Sequence, residues 1–136
     1  MANAGTYIAS RASLPARAAA WRRLRDVEGW KITSTWIDES GAGETADLGS
    51  LWVRIATEVA ASERLVLYVE PDGFPLKGAL IEVGIAIGHG IPIRVVAPSV
   101  VMDPVSFRPL GSWIRHPLVT VAISIEEALA GTTMNR

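Results

Sequence analysis

The sequence contains no cysteine, which excludes disulfides, thiolate catalysis and cysteine-based zinc sites. It has only two histidines, His89 and His116, so we do not expect a metal site built from histidine alone. No apolar run reaches the ~20 residues that a membrane-spanning helix needs. The first residues do not form a basic segment followed by an apolar stretch, so we expect no secretory signal and a cytoplasmic location.

Neither sign of charge is in clear excess, since 13 basic residues face 14 acidic ones and the formal net charge is -1. A near-neutral chain without a basic run is a poor candidate for binding a nucleic-acid polymer. Hydrophobic residues make up 49% of the chain and charged residues 20%, which is enough apolar material for a packed core. The length of 136 residues fits a single domain over 1–136, by the rough rule of ~100–200 residues per domain.

Short apolar runs alternate with segments of helical periodicity along the chain. The predicted strands are Thr6–Ser10, Lys31–Ile37, Leu65–Val69, Ile91–Val96 and Val119–Ile123. The predicted helices are Pro15–Glu28, Thr45–Ala61, Gly78–Gly88, a short one near Gly111–Arg115 and a last one from Ser124 to about Gly131. This alternation implies parallel strands joined by right-handed helical crossovers. We therefore predict an α/β three-layer sandwich, flavodoxin- or Rossmann-like, whose five-stranded parallel sheet has the order 2-1-3-4-5.

Ligands of such sheets bind outside the carboxyl ends of the strands, near the switch in strand order. This rule selects a set of polar and aromatic residues that follow the first three predicted strands or begin helix 78–88. They are Ser10, Arg11, Trp36, Asp38, Glu70, Asp72, Lys77 and Gly78. We expect these residues to share one edge of the sheet.

Glu82 is the one charged residue between Gly78 and Gly88. An unpaired carboxylate in an apolar environment costs several kcal/mol, or it takes up a proton instead. Glu82 therefore lines a cavity or has a specific partner. The alternative is an ordinary position at an exposed helix edge or in a pair with an arginine.

Three segments carry a resemblance to a known family: Tyr7-Ile-Ala-Ser-Arg11, the strand Leu65–Val69 with its acidic loop, and Gly78-x-x-x-Glu82-x-Gly-x-Ala. Together they resemble the nucleoside 2-deoxyribosyltransferase superfamily, over roughly residues 7 to 130. That group includes nucleoside deoxyribosyltransferases and deoxynucleoside-monophosphate N-glycosidases. The resemblance implies an enzyme whose nucleophile is Glu82, acting on a small-molecule nucleoside or nucleotide without a metal or an organic cofactor.

In the chemistry that the resemblance implies, Glu82 attacks C1′ of a deoxyribose and forms a covalent glycosyl-enzyme. A second base or a water then attacks the same carbon, with net retention. Tyr7 would hydrogen-bond the nucleophile, or it is simply a core aromatic residue. Ser10 and Arg11 would bind sugar hydroxyls or a 5′-phosphate, since a hydroxyl and a guanidinium suit an oxyanion; otherwise they form a solvated loop.

The other selected residues have less specific roles. Trp36 would stack on the base, or it belongs to the core, and Asp38 would bind the polar edge of the base or a hydroxyl. Glu70 and Asp72 end the third predicted strand, and Asp72 would contact the ribose or the leaving base. Aspartate in Pro-Asp-Gly is also a common turn residue. Lys77 favours a phosphate or an acidic ligand, or it is solvated at the helix start.

The sequence departs from the family at two points. The transferases have an aspartate six residues before the nucleophile, where this chain has Leu76. They also have a late asparagine that serves a neighbouring subunit, whereas the asparagines here are Asn3 and Asn135. Hydrolysis or an unusual substrate therefore stays open, as does a non-catalytic nucleotide-binding or sensing module. A structural subunit that assembles through helix 78–88 is a weaker third hypothesis.

Helix 78–88 and the helix around Trp52 together offer more apolar surface than one small sheet face covers. Apolar surface of this kind usually marks an interface. We therefore expect a homodimer or a higher homo-oligomer. We expect Trp21, Trp30, Trp52 and Trp113 to serve packing or subunit contacts and not base stacking.

Overall fold

The computed structural model describes residues 5–10, 15–39 and 47–130. The strands in these ranges are β1 (Thr6–Ala9), β2 (Arg64–Tyr68), β3 (Ile93–Val96) and β4 (Val119–Ala122). The α-helices are α1 (Pro15–Asp26), α2 (Leu48–Ala60), α3 (Gly78–Gly88) and α4 (Ile125–Leu129). Short 3-10 helices cover Thr35–Asp38, Pro71–Gly73 and Ser112–Arg115. None of the helices in the described ranges combines the length and the apolarity needed to cross a membrane.

The four strands form one parallel sheet in the order β1-β2-β3-β4. Tyr7 pairs with Leu65, Leu65 with Ile93, and Ile93 with Val119, so one row of side chains crosses the whole sheet. Parallel neighbours need long crossover connections, which the helices supply. The α/β class and the parallel sheet predicted from the sequence are therefore confirmed.

The predicted second strand, Lys31–Ile37, is not a strand in the structure. It makes a single parallel bridge, between Ile32 and Thr6, and then winds into the 3-10 helix 35–38. Hydrogen bonds to side chains take the place of the backbone hydrogen bonds of a strand here. The Ser34 hydroxyl accepts from the Ile8 N–H at 3.0 Å, and Glu58 accepts from the Thr35 N–H at 3.0 Å. Such side-chain bonds compete with sheet pairing. The structure therefore supports neither five strands nor the order 2-1-3-4-5.

Helices pack on both faces of the sheet, because successive side chains of a strand point to opposite sides. On one face, Tyr68 of β2 meets Trp21 of α1 with ring centroids 5.2 Å apart. On the same face, Arg64 donates to the Ala128 carbonyl of α4 at 2.9 Å. The other face carries Tyr7 towards Glu82 of α3, and α2 packs against α3.

Helix α3 spans the residues predicted for it, Gly78–Gly88. Its buried residues are Ala79, Glu82, Val83 and Ala86, whose spacing places them on one face of a helix. This row contacts the sheet, so the fold itself turns Glu82 inward. The one acidic residue of α3 thus lies among residues that form the core.

The last helix, α4, starts as expected, with Ser124 as its N-cap residue. The Ser124 hydroxyl accepts from the Glu127 N–H at 3.1 Å, and the Glu127 carboxylate accepts from the Ile123 N–H at 3.0 Å. These reciprocal bonds are close to a capping box and satisfy amide groups at the helix start. The predicted end near Gly131 lies outside the described residues.

Candidate functional site

A pocket of ≈ 400 Å³ opens beside the carboxyl end of β1. Its walls come from the residue that follows β1, the 3-10 helix 35–38, α2, the loop before α3, and the first turns of α3. The lining residues are Ser10, Trp36, Leu51, Trp52, Ile55, Pro75, Leu76, Lys77, Gly78, Ala79 and Glu82. The volume lies in the range of small-molecule sites, roughly 300–1,000 Å³. The pocket occupies the sheet edge where parallel α/β folds bind ligands.

Glu82 is the buried acid of this pocket, with 8% of its surface exposed. No cationic side chain of the described ranges forms an ion pair with it. Burial raises the pKa of Glu82 to about 8, and the nearby Tyr7 hydroxyl acts in the opposite direction. Of the alternatives that the sequence left open, the structure places Glu82 in a cavity and not at an exposed edge or beside an arginine.

Tyr7 lies under the pocket next to Glu82 and is fully buried. Its hydroxyl makes no hydrogen bond of ordinary geometry within the described ranges, yet the two groups are close enough to interact. Burial, and then the charge of Glu82, hold the pKa of Tyr7 far above its ordinary value. The hydroxyl therefore keeps its proton and can serve as a donor to the Glu82 carboxylate.

The wall that carries Trp36 is fixed by contacts from three directions. The Trp36 indole N–H donates to the Ile8 carbonyl at 2.8 Å. The Thr35 hydroxyl donates to Glu58 of α2 at 2.6 Å. Arg54 of α2 donates through both terminal nitrogens to Glu39, at 2.6 and 2.9 Å. These bonds tie the 3-10 helix to α2 and set the width of the pocket.

The start of α3 brings backbone close to a second tryptophan. A Cβ added to Gly78 would lie 3.3 Å from Cη2 of Trp52 and 3.8 Å from Oε2 of Glu82. A glycine at this position therefore lets the Trp52 ring rest on the first turn. The preceding residue, Lys77, is exposed at the pocket and has φ 51 and ψ -113. Such backbone strain in a non-glycine residue is concentrated at functional sites.

A smaller cleft of ≈ 20 Å³ adjoins the pocket and shares Ser10 and Leu76 with it. Here the Glu70 carboxylate accepts from Arg17 at 2.5 Å and from the Tyr68 hydroxyl at 2.6 Å. The Arg17 guanidinium also lies over the Tyr68 ring, 4.6 Å from its centroid. Glu70 is therefore paired with Arg17 and Tyr68 in this cleft, and it does not line the pocket that contains Glu82.

No protein-family model, curated protein or solved structure matches this chain. Within the described ranges, no group of three or more acidic or histidine residues is placed to hold a metal ion.

The structure brings together most of the residues that the sequence selected. Ser10, Trp36, Lys77, Gly78 and Glu82 line the pocket, and Tyr7 lies beside Glu82. Glu70 and Asp72 line the adjoining cleft, and Asp72 is exposed on the 3-10 helix 71–73. Arg11 lies outside the described residues.

Asp38 lies apart from the pocket because the predicted strand is a 3-10 helix. Residues 36 and 38 would share one face of a strand, but with about three residues per turn they point in different directions. Trp36 is buried in the pocket wall, whereas Asp38 is exposed and accepts from both terminal nitrogens of Arg25 at 2.8 Å. This pairing lowers the pKa of Asp38.

The sequence analysis missed the contribution of α2 to the pocket. Leu51, Trp52 and Ile55 line it, although their helical spacing indicated ordinary core positions and Trp52 was expected to serve packing. Arg17 of the adjoining cleft was also missed. Nothing in the local sequence separates a tryptophan in a pocket wall from one in a core, because the difference depends on where α2 meets α3.

Proposed function

We propose that this protein cleaves or transfers the N-glycosidic bond of a (deoxy)nucleoside or its 5′-monophosphate in the cytoplasm, with Glu82 as the nucleophile. The observation that carries the proposal is a buried carboxyl group in a pocket at the ligand-binding edge of the sheet, beside a tyrosine hydroxyl and without an ion pair to any cationic side chain in the described ranges. The resemblance to nucleoside 2-deoxyribosyltransferases supports the same chemistry; it rests on the segment 7–11, on Leu65–Val69 with its acidic loop, and on the motif from Gly78 through Glu82 to Ala86.

In the proposed reaction, a Glu82 carboxylate oxygen forms a bond to C1′ while the C1′–N bond breaks. The leaving base takes the electron pair of that bond and a proton from solvent. A water or a second base then attacks C1′ and loses a proton to solvent, while the bond from C1′ to Glu82 breaks and releases the carboxylate. The two inversions give net retention. Positive charge develops on the sugar in each step, and a negative charge in a poorly solvated pocket stabilises it more strongly than one in water.

The Tyr7 hydroxyl has a positioning role in this scheme. It lies against the carboxyl and lowers the pKa of Glu82, so it favours the ionised form that attacks. With a pKa of about 8, Glu82 is mostly protonated at pH 7, and only about a tenth of it is ionised. A sugar carbon that gains positive charge shifts this balance towards the carboxylate.

The direct test is to incubate the protein with the four deoxynucleosides and their 5′-monophosphates and to measure the free base released by chromatography. We expect Glu82→Ala to abolish release while the fold is retained, with kcat affected more than KM because the charge acts mainly in the transition state. Glu126→Ala removes an exposed carboxylate of α4 and serves as the matched control, with unchanged turnover. Wild-type turnover in purified Glu82→Ala would refute the assigned role.

A second candidate function is a nucleotide-binding or sensing module without turnover. The raised pKa of Glu82, about 8, favours it, since a neutral carboxyl at pH 7 donates a hydrogen bond to a ligand and is a weak nucleophile. This candidate predicts thermal stabilisation by a nucleoside or nucleotide without base release. Glu82→Ala would then lose that stabilisation.

We also propose that the chain forms a homodimer or a higher homo-oligomer through the outer faces of α2 and α3. Four large apolar side chains are exposed there: Leu48, Val53, Leu80 and Ile81. Burying such side chains is favourable, at about 25 cal/mol per Å² of apolar surface. Light scattering at micromolar concentration tests this, and Ile81→Asp is expected to shift the mass towards the monomer. A monomeric wild-type protein would contradict the proposal.

A further inference from the structure

We propose that the pocket recognises the leaving group of its substrate by stacking and shape, and that it therefore accepts planar aromatic groups with different hydrogen-bonding edges. This inference rests on the proposed function and specifies its substrate class. Three observations support it: the amide content of the chain, the hydrogen bonds already made by the pocket's polar groups, and the aromatic character of its walls.

The chain has almost no amide side chains with which to read a base. The sequence contains no glutamine, and its two asparagines, Asn3 and Asn135, lie outside the described residues. An amide offers both a donor and an acceptor, which makes it suited to the mixed edge of a nucleobase. Recognition by amide side chains in the described pocket is therefore ruled out by composition.

The polar groups that do line the pocket are engaged or suited to other parts of the ligand. The Trp36 indole N–H already donates to Ile8. The Ser10 hydroxyl accepts from the Trp21 indole at 2.9 Å, which leaves its own O–H and one lone pair on a single oxygen atom. Glu82 is assigned to C1′ in the proposed reaction. Lys77 is exposed, and its ammonium group is a donor only. Within the described residues, Ser10 can therefore give only a contact from one oxygen atom, and no lining side chain other than Glu82 offers the base a donor and an acceptor on separate atoms, as an amide would.

The remaining walls are apolar or aromatic. Trp36 is held rigidly, and Trp52 rests on Gly78 at the start of α3. Leu51 and Ile55 complete the α2 side. Stacking on an aromatic ring tolerates different bases, because every base presents a π-face. Apolar pockets separate related ligands by only about 10- to 200-fold, whereas sites built from hydrogen bonds reach 10⁴-fold or more.

The test uses C-nucleosides, whose C1′–C bond the proposed reaction does not cleave, so binding is measured apart from turnover. The probes are 2′-deoxypseudouridine, 9-deaza-2′-deoxyadenosine and the 1-naphthyl C-2′-deoxyriboside, each also as its 5′-monophosphate. The naphthyl group stacks but has no hydrogen-bonding edge. We expect the wild-type protein to bind all three groups with Kd values within about tenfold of one another.

Variants of Trp52 test the stacking contact itself. Trp52→Ala should weaken all three probes by a similar factor, between about tenfold and a hundredfold, and Trp52→Phe should restore most of the binding. Trp113→Ala removes a half-buried tryptophan that does not line the pocket and should leave binding unchanged. The comparison of probes on the wild-type protein does not depend on the folding of any variant.

Three outcomes would overturn the inference. The wild-type protein could bind the naphthyl probe more than a hundredfold more weakly than the other two probes, or it could bind none of the probes. The third outcome is that Trp52→Ala loses affinity for only one of the three probes. The base-release assay reports separately on the enzyme. Base release together with edge-dependent binding refutes this inference and leaves the proposed function standing. Equal binding of the three probes without base release from any nucleoside supports the inference and refutes the proposed function.

Discussion

The buried Glu82 carboxyl should make the stability of the fold depend on pH in a direction that few acidic residues produce. Its pKa is about 8 in the folded protein, against 4.5 for an ordinary glutamate. Below pH 4.5 the group is neutral in both the folded and the unfolded chain. Between these values only the unfolded chain loses the proton, so the free energy of unfolding falls as pH rises and levels off above about pH 8.

The size of this effect follows from the two pKa values. Each pH unit between them changes the free energy of unfolding by about 1.4 kcal/mol, and the interval from 4.5 to about 8 sets a ceiling of roughly 5 kcal/mol. Water that enters the pocket to solvate the carboxylate reduces this value. A domain of this size has only about 5–15 kcal/mol of stability in total, so even half of the ceiling is easily measured.

Glu82→Gln is the matched perturbation, because glutamine has the shape of the neutral carboxyl and does not titrate. Urea unfolding followed by tryptophan fluorescence, from pH 5 to pH 9, gives the free energies of both proteins. All other titrating groups are shared, so the difference between the two curves isolates Glu82. We expect nearly equal stability at pH 5 and a variant that is more stable by several kcal/mol at pH 9.

The reasoning fails if the two curves run parallel across this range. Parallel curves would mean that the Glu82 carboxyl titrates alike in the folded and unfolded chains, and hence that it is solvated. Glu126→Gln provides the control for an exposed glutamate, and its curve should stay parallel to that of the wild-type protein.

Three other contacts give testable outcomes. Tyr7→Phe removes the hydroxyl that lowers the pKa of Glu82, so the rise of kcat/KM with pH in base release should move to higher pH; an unmoved profile would argue against the contact. Gly78→Ala places a Cβ 3.3 Å from the Trp52 ring and should weaken nucleoside binding several-fold in titration with little change in Tm; unaltered binding would contradict the assigned wall. Asp38→Asn breaks an exposed pair with Arg25, a contact worth about 0–1 kcal/mol, so base release should be unchanged and Tm should fall only slightly; a large loss of activity would return Asp38 to the site.

Local pattern was enough to predict much of the fold. Helix α3 begins and ends where its apolar run does. Three of the strands lie within predicted segments, and β2 is displaced from its predicted bounds by one residue, since it begins at Arg64. The last helix starts at the predicted Ser124, whose hydroxyl accepts from the Glu127 N–H. These features depend on neighbours in sequence, so the sequence alone carries the information.

The second predicted strand failed for a non-local reason. Its alternation of Ile32, Ser34 and Trp36 fits a strand. In the structure the Ile8 amide donates to the Ser34 side chain and not to a backbone carbonyl, and Glu58 accepts from both the amide and the hydroxyl of Thr35. Glu58 lies on a helix that follows much later in the chain. No local pattern reveals that contact.

The site was predictable where chemistry or topology selects a residue. Glu82 stands out as the one charge in an apolar helix, and the rule on strand ends brings Ser10 and Lys77 to the same edge. Trp52 was not predictable as a wall of the pocket, because its position depends on how α2 packs on α3.

The ionisation of Glu82 also separates the two candidate functions. An enzyme that uses Glu82 as its nucleophile needs the carboxylate. Its kcat/KM should therefore rise with pH up to about 8, the pKa of Glu82 in the free protein. A binding module that uses the neutral carboxyl as a donor needs the opposite form, and its affinity should fall over the same range. A leucine at position 82 would avoid the cost of burying a carboxyl, so the fold retains an unfavourable group in its pocket. Local rules are broken in this way mainly at functional sites, and the sign of the pH dependence shows which function the group serves.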